Sequence, residues 1–193
     1  GTTTVSAGTL LISNNTGLGS TANGTLVQSG ATLDLYNVIV GAEQVTLNGG
    51  TLKDVTSSLA GNVILTADST ISTNSGDTLI LSGVVSGVYG ITKTGAGSLV
   101  LTNTNTYTGS TTISAGTLSL TGTGSIAGSS SIINNATFNI SGTATGASIM
   151  SLAGNSSGST VLGSKTLTIT GGADTFARAL LTADKIITSS AYD

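Results

Sequence analysis

The stretch from Thr78 to Ile140 holds four copies of one unit: Thr78-Leu-Ile-Leu81, Ser98-Leu-Val-Leu101, Thr117-Leu-Ser-Leu120 and Thr137-Phe-Asn-Ile140. In each, a hydroxyl residue is followed by an apolar, a variable and a second apolar residue. Successive side chains of a strand point to opposite sides, so this alternation is that of a strand with one buried face. The copies stand about 20 residues apart, the length of one turn of a stacked solenoid. The same unit appears outward from this stretch as Thr9-Leu-Leu-Ile12, Thr32-Leu-Asp-Leu35, Thr51-Leu-Lys-Asp54 and Thr166-Leu-Thr-Ile169. In Thr51 to Asp54 the fourth slot is acidic, which predicts the edge of a rung or a place beside a loop.

Between these tetrads lie short β-branched runs, such as Thr2 to Val5, Val45 to Leu47, Val63 to Leu65 and Thr111 to Ile113, which read as further strands of each coil. Gly49-Gly50, Asn14-Asn15, Asn134-Asn135 and Gly171-Gly172 punctuate them, because Gly and, less readily, Asn accept positive φ at sharp corners. The chain has no Pro, and Pro would delete a ladder donor from a strand stacked on both sides. A longer echo also runs through the sequence. Residues Gly1-Thr-Thr-Thr-Val-Ser-Ala-Gly-Thr-Leu10 return as Gly109-Ser-Thr-Thr-Ile-Ser-Ala-Gly-Thr-Leu118. These features predict an all-β parallel β-helix over residues 1–172; a β-sandwich shares the short strands but not this spacing. Residues 173–193 break the pattern. Phe176, Leu180, Leu181 and Ala183 share one face of a helix behind an Asp174 or Thr175 cap, followed by a strand at Lys185 to Thr188. The segment therefore reads as a short helical cap on the solenoid or as a degenerate last coil.

Composition narrows function. Thr, Ser, Asn and Gly fill a little over half of the 193 residues, 38% are hydrophobic and 7% charged, and the net charge is -3. Disorder pairs low hydrophobicity with high charge, so this chain is expected to fold. Cys and His are absent, which removes thiolate and imidazole catalysis, disulfides and zinc-type sites. Five bases, Lys53, Lys93, Lys165, Arg178 and Lys185, form no stripe for phosphates, so nucleic acid is not an expected partner. No apolar run reaches the roughly 20 residues of a membrane span. Opening on Gly1 rather than on Met and a leader predicts a mature product or a segment of something longer.

The stretch Gly87-Val-Tyr-Gly-Ile-Thr-Lys-Thr-Gly-Ala-Gly-Ser-Leu-Val-Leu-Thr102, continued to Leu118, closely resembles the autotransporter-associated β-strand repeat, also called the passenger-associated transport repeat. The residues that carry the likeness are Thr92, Lys93, Thr94 and Gly95, then Asn105, Thr106, Tyr107, Thr108 and Gly109, then Ala115, Gly116, Thr117 and Leu118. Gly1 to Leu10 matches the second half of another copy. The resemblance implies a right-handed parallel β-helix in the secreted passenger of a type V autotransporter, or in a similar large surface protein, displayed outside the outer membrane. It implies structural motif residues and no catalytic site. At Ala179-Leu-Leu-Thr-Ala-Asp-Lys-Ile-Ile187, where another Thr-Lys-Thr-Gly is expected, the chain departs from the pattern.

Other residues invite chemistry and are read more plainly. Lys93 could activate a hydroxyl as a dyad base, yet is expected as a solvated corner lysine. Asp34, Glu43, Asp54, Asp68 and Asp77 could serve as a carboxylate pair or a calcium site in a polysaccharide-cleaving β-helix, yet they are spread singly and are expected as surface carboxylates. Tyr36, Tyr89, Tyr107 and Tyr192, with Phe138 and Phe176, are too few for an aromatic sugar platform; an exposed pair could touch glycan. Asn residues at turns are expected to form internal hydrogen-bond stacks. Gly95-Ala-Gly97 lacks the strand-to-helix context of a phosphate cradle. The chain is thus expected to be non-enzymatic and to need no cofactor or metal. The first reading is a structural or adhesive rod at the cell surface. The alternatives are an extracellular filament subunit stacking through its β-helix edges, and a polysaccharide-binding or polysaccharide-degrading β-helix. The expected partners are neighbouring repeats, further copies of the chain, or host or matrix glycans.

Overall fold

A computed structural model describes residues 1–171, with the backbone of 181–183 and 186–188. Over the described residues the chain is all-β, with parallel strands stacked as a solenoid of about 8 turns and about 20 residues per turn. The first coil carries β1 (Thr3–Val5) and β2 (Thr9–Ile12). The second has β3 (Thr25–Gln28), β4 (Thr32–Tyr36) and β5 (Ile39–Val40), and the third β6 (Val45–Asn48), β7 (Thr51–Val55) and β8 (Ser57–Leu59). The fourth has β9 (Val63–Ala67), β10 (Ser69–Thr73) and β11 (Thr78–Leu81), and the fifth β12 (Val85–Gly87), β13 (Ile91–Thr94) and β14 (Ser98–Leu101). Then follow β15 (Thr111–Ile113) and β16 (Thr117–Gly122) in the sixth, and β17 (Ile132–Asn134) and β18 (Thr137–Thr143) in the seventh. The last are β19 (Ala147–Ile149), β20 (Leu152–Ala153), β21 (Ser159–Gly163), β22 (Leu167–Ile169), β23 (Leu181–Ala183) and β24 (Ile186–Thr188).

Three faces result. The first runs β1-β3-β6-β9-β12 and resumes as β19-β22-β24; the second is β2-β4-β7-β10-β13-β15-β17-β20; the third is β5-β8-β11-β14-β16-β18-β21-β23. In the sixth and seventh coils the first face is continued without regular strands, through the amides of Thr106 and Thr108, which donate to the carbonyls of Val85 and Gly87, and that of Asn105, which donates to Ser125.

The tetrads set what lies inside. On the third face Leu79, Leu99, Leu118 and Phe138 stack in register, and all are 0% exposed. Burying one such side chain contributes about 2 kcal/mol. The hydroxyl residues Thr78, Ser98, Thr117, Thr137 and Ser159 form the matching outer row. The tetrads do not all share one face, however. Those starting at Thr9, Thr32 and Thr51 lie on the second face, those from Thr78 to Thr137 on the third, and Leu167–Ile169 on the first. The steps from Thr51 to Thr78 and from Thr137 to Thr166 accordingly exceed one coil. Likewise the echo at residues 1–10 turns from the first face to the second, whereas its copy at 109–118 turns from the second to the third.

The expected helix does not hold where the structure tests it. Leu181–Ala183 is a strand paired in parallel with β21, since the free edge of β21 offers ladder bonds that a lone helical turn cannot match. Ile186–Thr188, within the expected strand, pairs with β22. Asp174, Thr175, Phe176 and Leu180 lie outside the described residues.

Candidate functional site

The motif residues gather around two corners of the fifth and sixth coils. In β13 the alternation that turns Ile91 inward also turns Lys93 inward, into the interior row Leu33, Leu52, Ile71, Lys93, Ile113. Lys93 is 0% exposed, so the solvated corner lysine expected from sequence is corrected to a core residue. Its Nζ donates to the carbonyls of Thr94 at 2.7 Å, Gly95 at 2.8 Å and Ala115 at 3.3 Å. An ammonium has three donors and no acceptor, so all three protons are used and two adjacent corners are tied together. Burial lowers the amine from its ordinary range to about 8. Thr92 and Thr94 flank it as half-buried outer residues. The corners require glycine. Gly95 and Gly116 have φ of 73° and 68°, and a Cβ on either would stand within 2.1–2.2 Å of a backbone carbonyl oxygen of the coil below.

On the first face Asn105 is buried and joins three coils. Its Oδ1 accepts from the Val85 amide at 2.8 Å, and its Nδ2 donates to Asn103 O at 2.8 Å and Ser125 O at 3.0 Å. Tyr107, also fully buried, begins a hydroxyl relay: 2.7 Å to Thr111 Oγ1, 2.9 Å on to Ser129 Oγ, and 2.9 Å to Gly109 O. A carbonyl can only accept, so Ser129 donates to it, Thr111 donates to Ser129, and Tyr107 donates to Thr111. Burial raises the phenol above its ordinary range. Thr106 and Thr108 are exposed, Thr117 is half-buried on the outer row, and Leu118 is core. The amide of Thr117 donates to Gly97 O and Gly116 O accepts from Thr137. Lys93, Asn105, Gly109, Ala115, Gly116 and Thr117 each bond directly to a neighbouring coil, and Tyr107 does so through Thr111 and Ser129; none of these residues is arranged as a nucleophile with its base.

The acids also differ from expectation. Asp34, Glu43 and Asp54 are buried, at 4%, 3% and 0% exposure, not surface carboxylates. Asp34 sits on the outer side of β4 under Lys53, whose Nζ is 2.6 Å from Oδ2. Glu43 Oε1 accepts from Thr25 Oγ1 at 3.0 Å. Asp54, rather than bounding a rung, lies inside β7 in the apolar slot of its tetrad, between Leu35 and Thr73. Asp68 accepts from the Gly90 amide and Asp77 from Thr56 Oγ1. Among the described residues no three acidic, His or Cys side chains are grouped to hold a metal. The signal for Lys93 and Asp54 was in the sequence as strand parity: each stands two residues from an apolar neighbour of the same strand, Ile91 or Leu52, that faces the core.

The Asn residues bridge coils through backbone partners more than through one another. Asn15, Asn62 and Asn134 reach Ile39 N, Val84 N and Ser159 O, and Asn48 reaches Gln28 Oε1. Tyr36 and Tyr89 are exposed, but they lie at different corners three coils apart and do not form a pair; Tyr192 and Phe176 lie outside the described residues. Two of the surface depressions lie among the described residues. One, about 500 Å³, is lined by hydroxyls including Thr123, Ser125, Thr145, Ser148, Thr166 and Thr168. The other, about 410 Å³, is more apolar and lies around Val38, Ile39 and Ile80.

Residues 91–120, from β13 to the inward Leu120 of β16, match the family model of the passenger-associated transport repeat. Over 114 residues, 58% of the chain, the sequence is 38% identical to the adhesin BmaC autotransporter of Brucella suis biovar 1 (strain 1330), and the match spans 3% of that protein's length. No solved structure matches the chain.

Proposed function

We propose that this chain, which carries a passenger-associated transport repeat, is a non-catalytic stretch of the exported β-helix of a bacterial autotransporter passenger, exposed at the cell surface and serving as a stiff adhesive stalk. The observation that carries the reading is that the matched segment coincides with the Lys93, Asn105 and Tyr107 staples. Lys93 and Asn105 fasten consecutive coils directly and Tyr107 does so through Thr111 and Ser129, and these three side chains are buried from solvent. Coils that contact only their neighbours can fold one upon another as the chain emerges from an export channel. A single-chain rod also suits a protein whose relative is far longer than this sequence.

The test is export in the chain's own precursor, with an epitope placed in the exposed Ser156-Ser157 turn. Labelling of intact cells and its loss on protease treatment are expected; an epitope protected until the cells are lysed overturns surface display. Binding of cells to glycan-coated and protein-coated surfaces, with and without the segment, then reads adhesion. Electron microscopy of the purified chain separates stalk from filament: short monodisperse rods are expected, and long fibres would favour end-to-end stacking.

A further inference from the structure

Lys93, Asn105, Tyr107 and Thr111 all find partners inside the solenoid, but one interior pair does not. Asp54 and Thr73 are Cα partners in the third and fourth coils and both are 0% exposed. Neither oxygen of Asp54 makes a hydrogen bond, and neither does Thr73 Oγ1. A buried carboxylate with no donor in hydrogen-bond geometry is costly, whereas a carboxylic acid brings its own O–H. The surroundings supply no cation. Below lies Leu35. In its own coil the hydroxyl and amide of Ser57 and the amide of Thr56 face the carboxyl and favour its charged form without closing a hydrogen bond, and Lys53, on the outer side of β7, is taken by Asp34. Above lie Thr73 and the charge of Asp77. Lys93 is two coils up, about 10 Å at the usual strand spacing, with its ammonium held by three carbonyls.

We propose that Asp54 and Thr73 form an acid-set clasp between the third and fourth coils. With Asp54 protonated, a rotamer turn lets its O–H donate to Thr73 Oγ1; with Asp54 ionised, an unpaired interior charge loosens the two coils. Burial first, and then the charge of Asp77, hold this carboxyl at about 6, against the opposing pull of Ser57 and Thr56. The folded value lies above the ordinary one, 3.8. The stabilising contribution is therefore complete below the ordinary value and is lost as pH rises through 6. The inference is independent of surface display, since it concerns the fold alone.

The experiment uses the whole 193-residue chain. Thermal unfolding is followed at pH 5.0 and 7.5 for the wild type, Asp54→Asn and the exposed control Asp68→Asn. A midpoint several degrees higher at pH 5.0 is expected for the wild type and for Asp68→Asn, and most of that difference should vanish in Asp54→Asn. In parallel, carbon NMR of the wild-type carboxyl groups reads the Asp54 titration directly, so the idea stays exposed should Asp54→Asn fail to fold. A midpoint for Asp54 in the ordinary carboxylate range, or an unchanged pH difference in Asp54→Asn, overturns the clasp.

Discussion

Lys93 shows how much a single interior residue can decide. Replacing it with Met keeps most of its length but takes the ammonium donor from three part-buried carbonyls, each bond worth roughly 1 kcal/mol or more. Lys93→Met should cost about 2–4 kcal/mol in denaturant unfolding near pH 7. The folded amine titrates at about 8 and the ordinary one at 10.5, so the unfolded chain binds more protons between those values. The Lys93 contribution to stability therefore rises with pH across that window, and Lys93→Met should lack the rise. Thr56 offers the opposite case. It is β-branched yet holds φ at 48°, as Asn37 does at 51° one coil below. Left-handed backbone costs a β-branched residue about 1–2 kcal/mol, so Thr56→Asn should raise the unfolding midpoint even though the bond to Asp77 is lost. Residue type alone announced neither, although strand parity from Ile91 marks Lys93 as inward. A lone lysine or threonine in a Thr-rich chain reads as surface until the strand on which it sits, and the parity of that strand, are fixed.

Among the elements, the inward rows were readable and the turns between them were less so. Leu79, Leu81, Leu99 and Leu101 point inward as alternation requires, and Phe138 fills the same row one coil after Leu118. Phe138→Ala should cost about 3–5 kcal/mol, because stacked neighbours on both sides limit collapse into the cavity. Gly95→Ala should also destabilise, by about 2 kcal/mol or more, since its Cβ would meet Thr73 O at 2.1 Å in a backbone that is already left-handed. Both are checked by denaturant midpoints at unchanged slope. The face each tetrad occupies was not readable. Inside-outside alternation is the same on all three faces, so a tetrad states which side chains are buried but not toward which corner the strand leads. A helix after Asp174 was expected for a related reason. Local periodicity carries no trace of the open edge of β21, and that edge takes Leu181–Ala183 as a strand.

The described coils form a one-dimensional stack, each secured chiefly by the coils above and below it. In the 193-residue chain taken by itself, native-state hydrogen exchange should therefore follow position along the axis: amides of β10, β13 and β15 should be the slowest, and those of β1 and β2 fast despite similar local bonding. Uniform protection along the stack would contradict nearest-neighbour control. The turn made by residues 1–10 between the first and second faces is made again by 109–118 between the second and third. A corner cassette that works at either bend is a unit of growth smaller than a coil. Splicing one in would keep the column unbroken while swinging everything beyond it a third of the way around the axis. Loops that had faced one neighbour would then be aimed at another, so a change in length would also change direction.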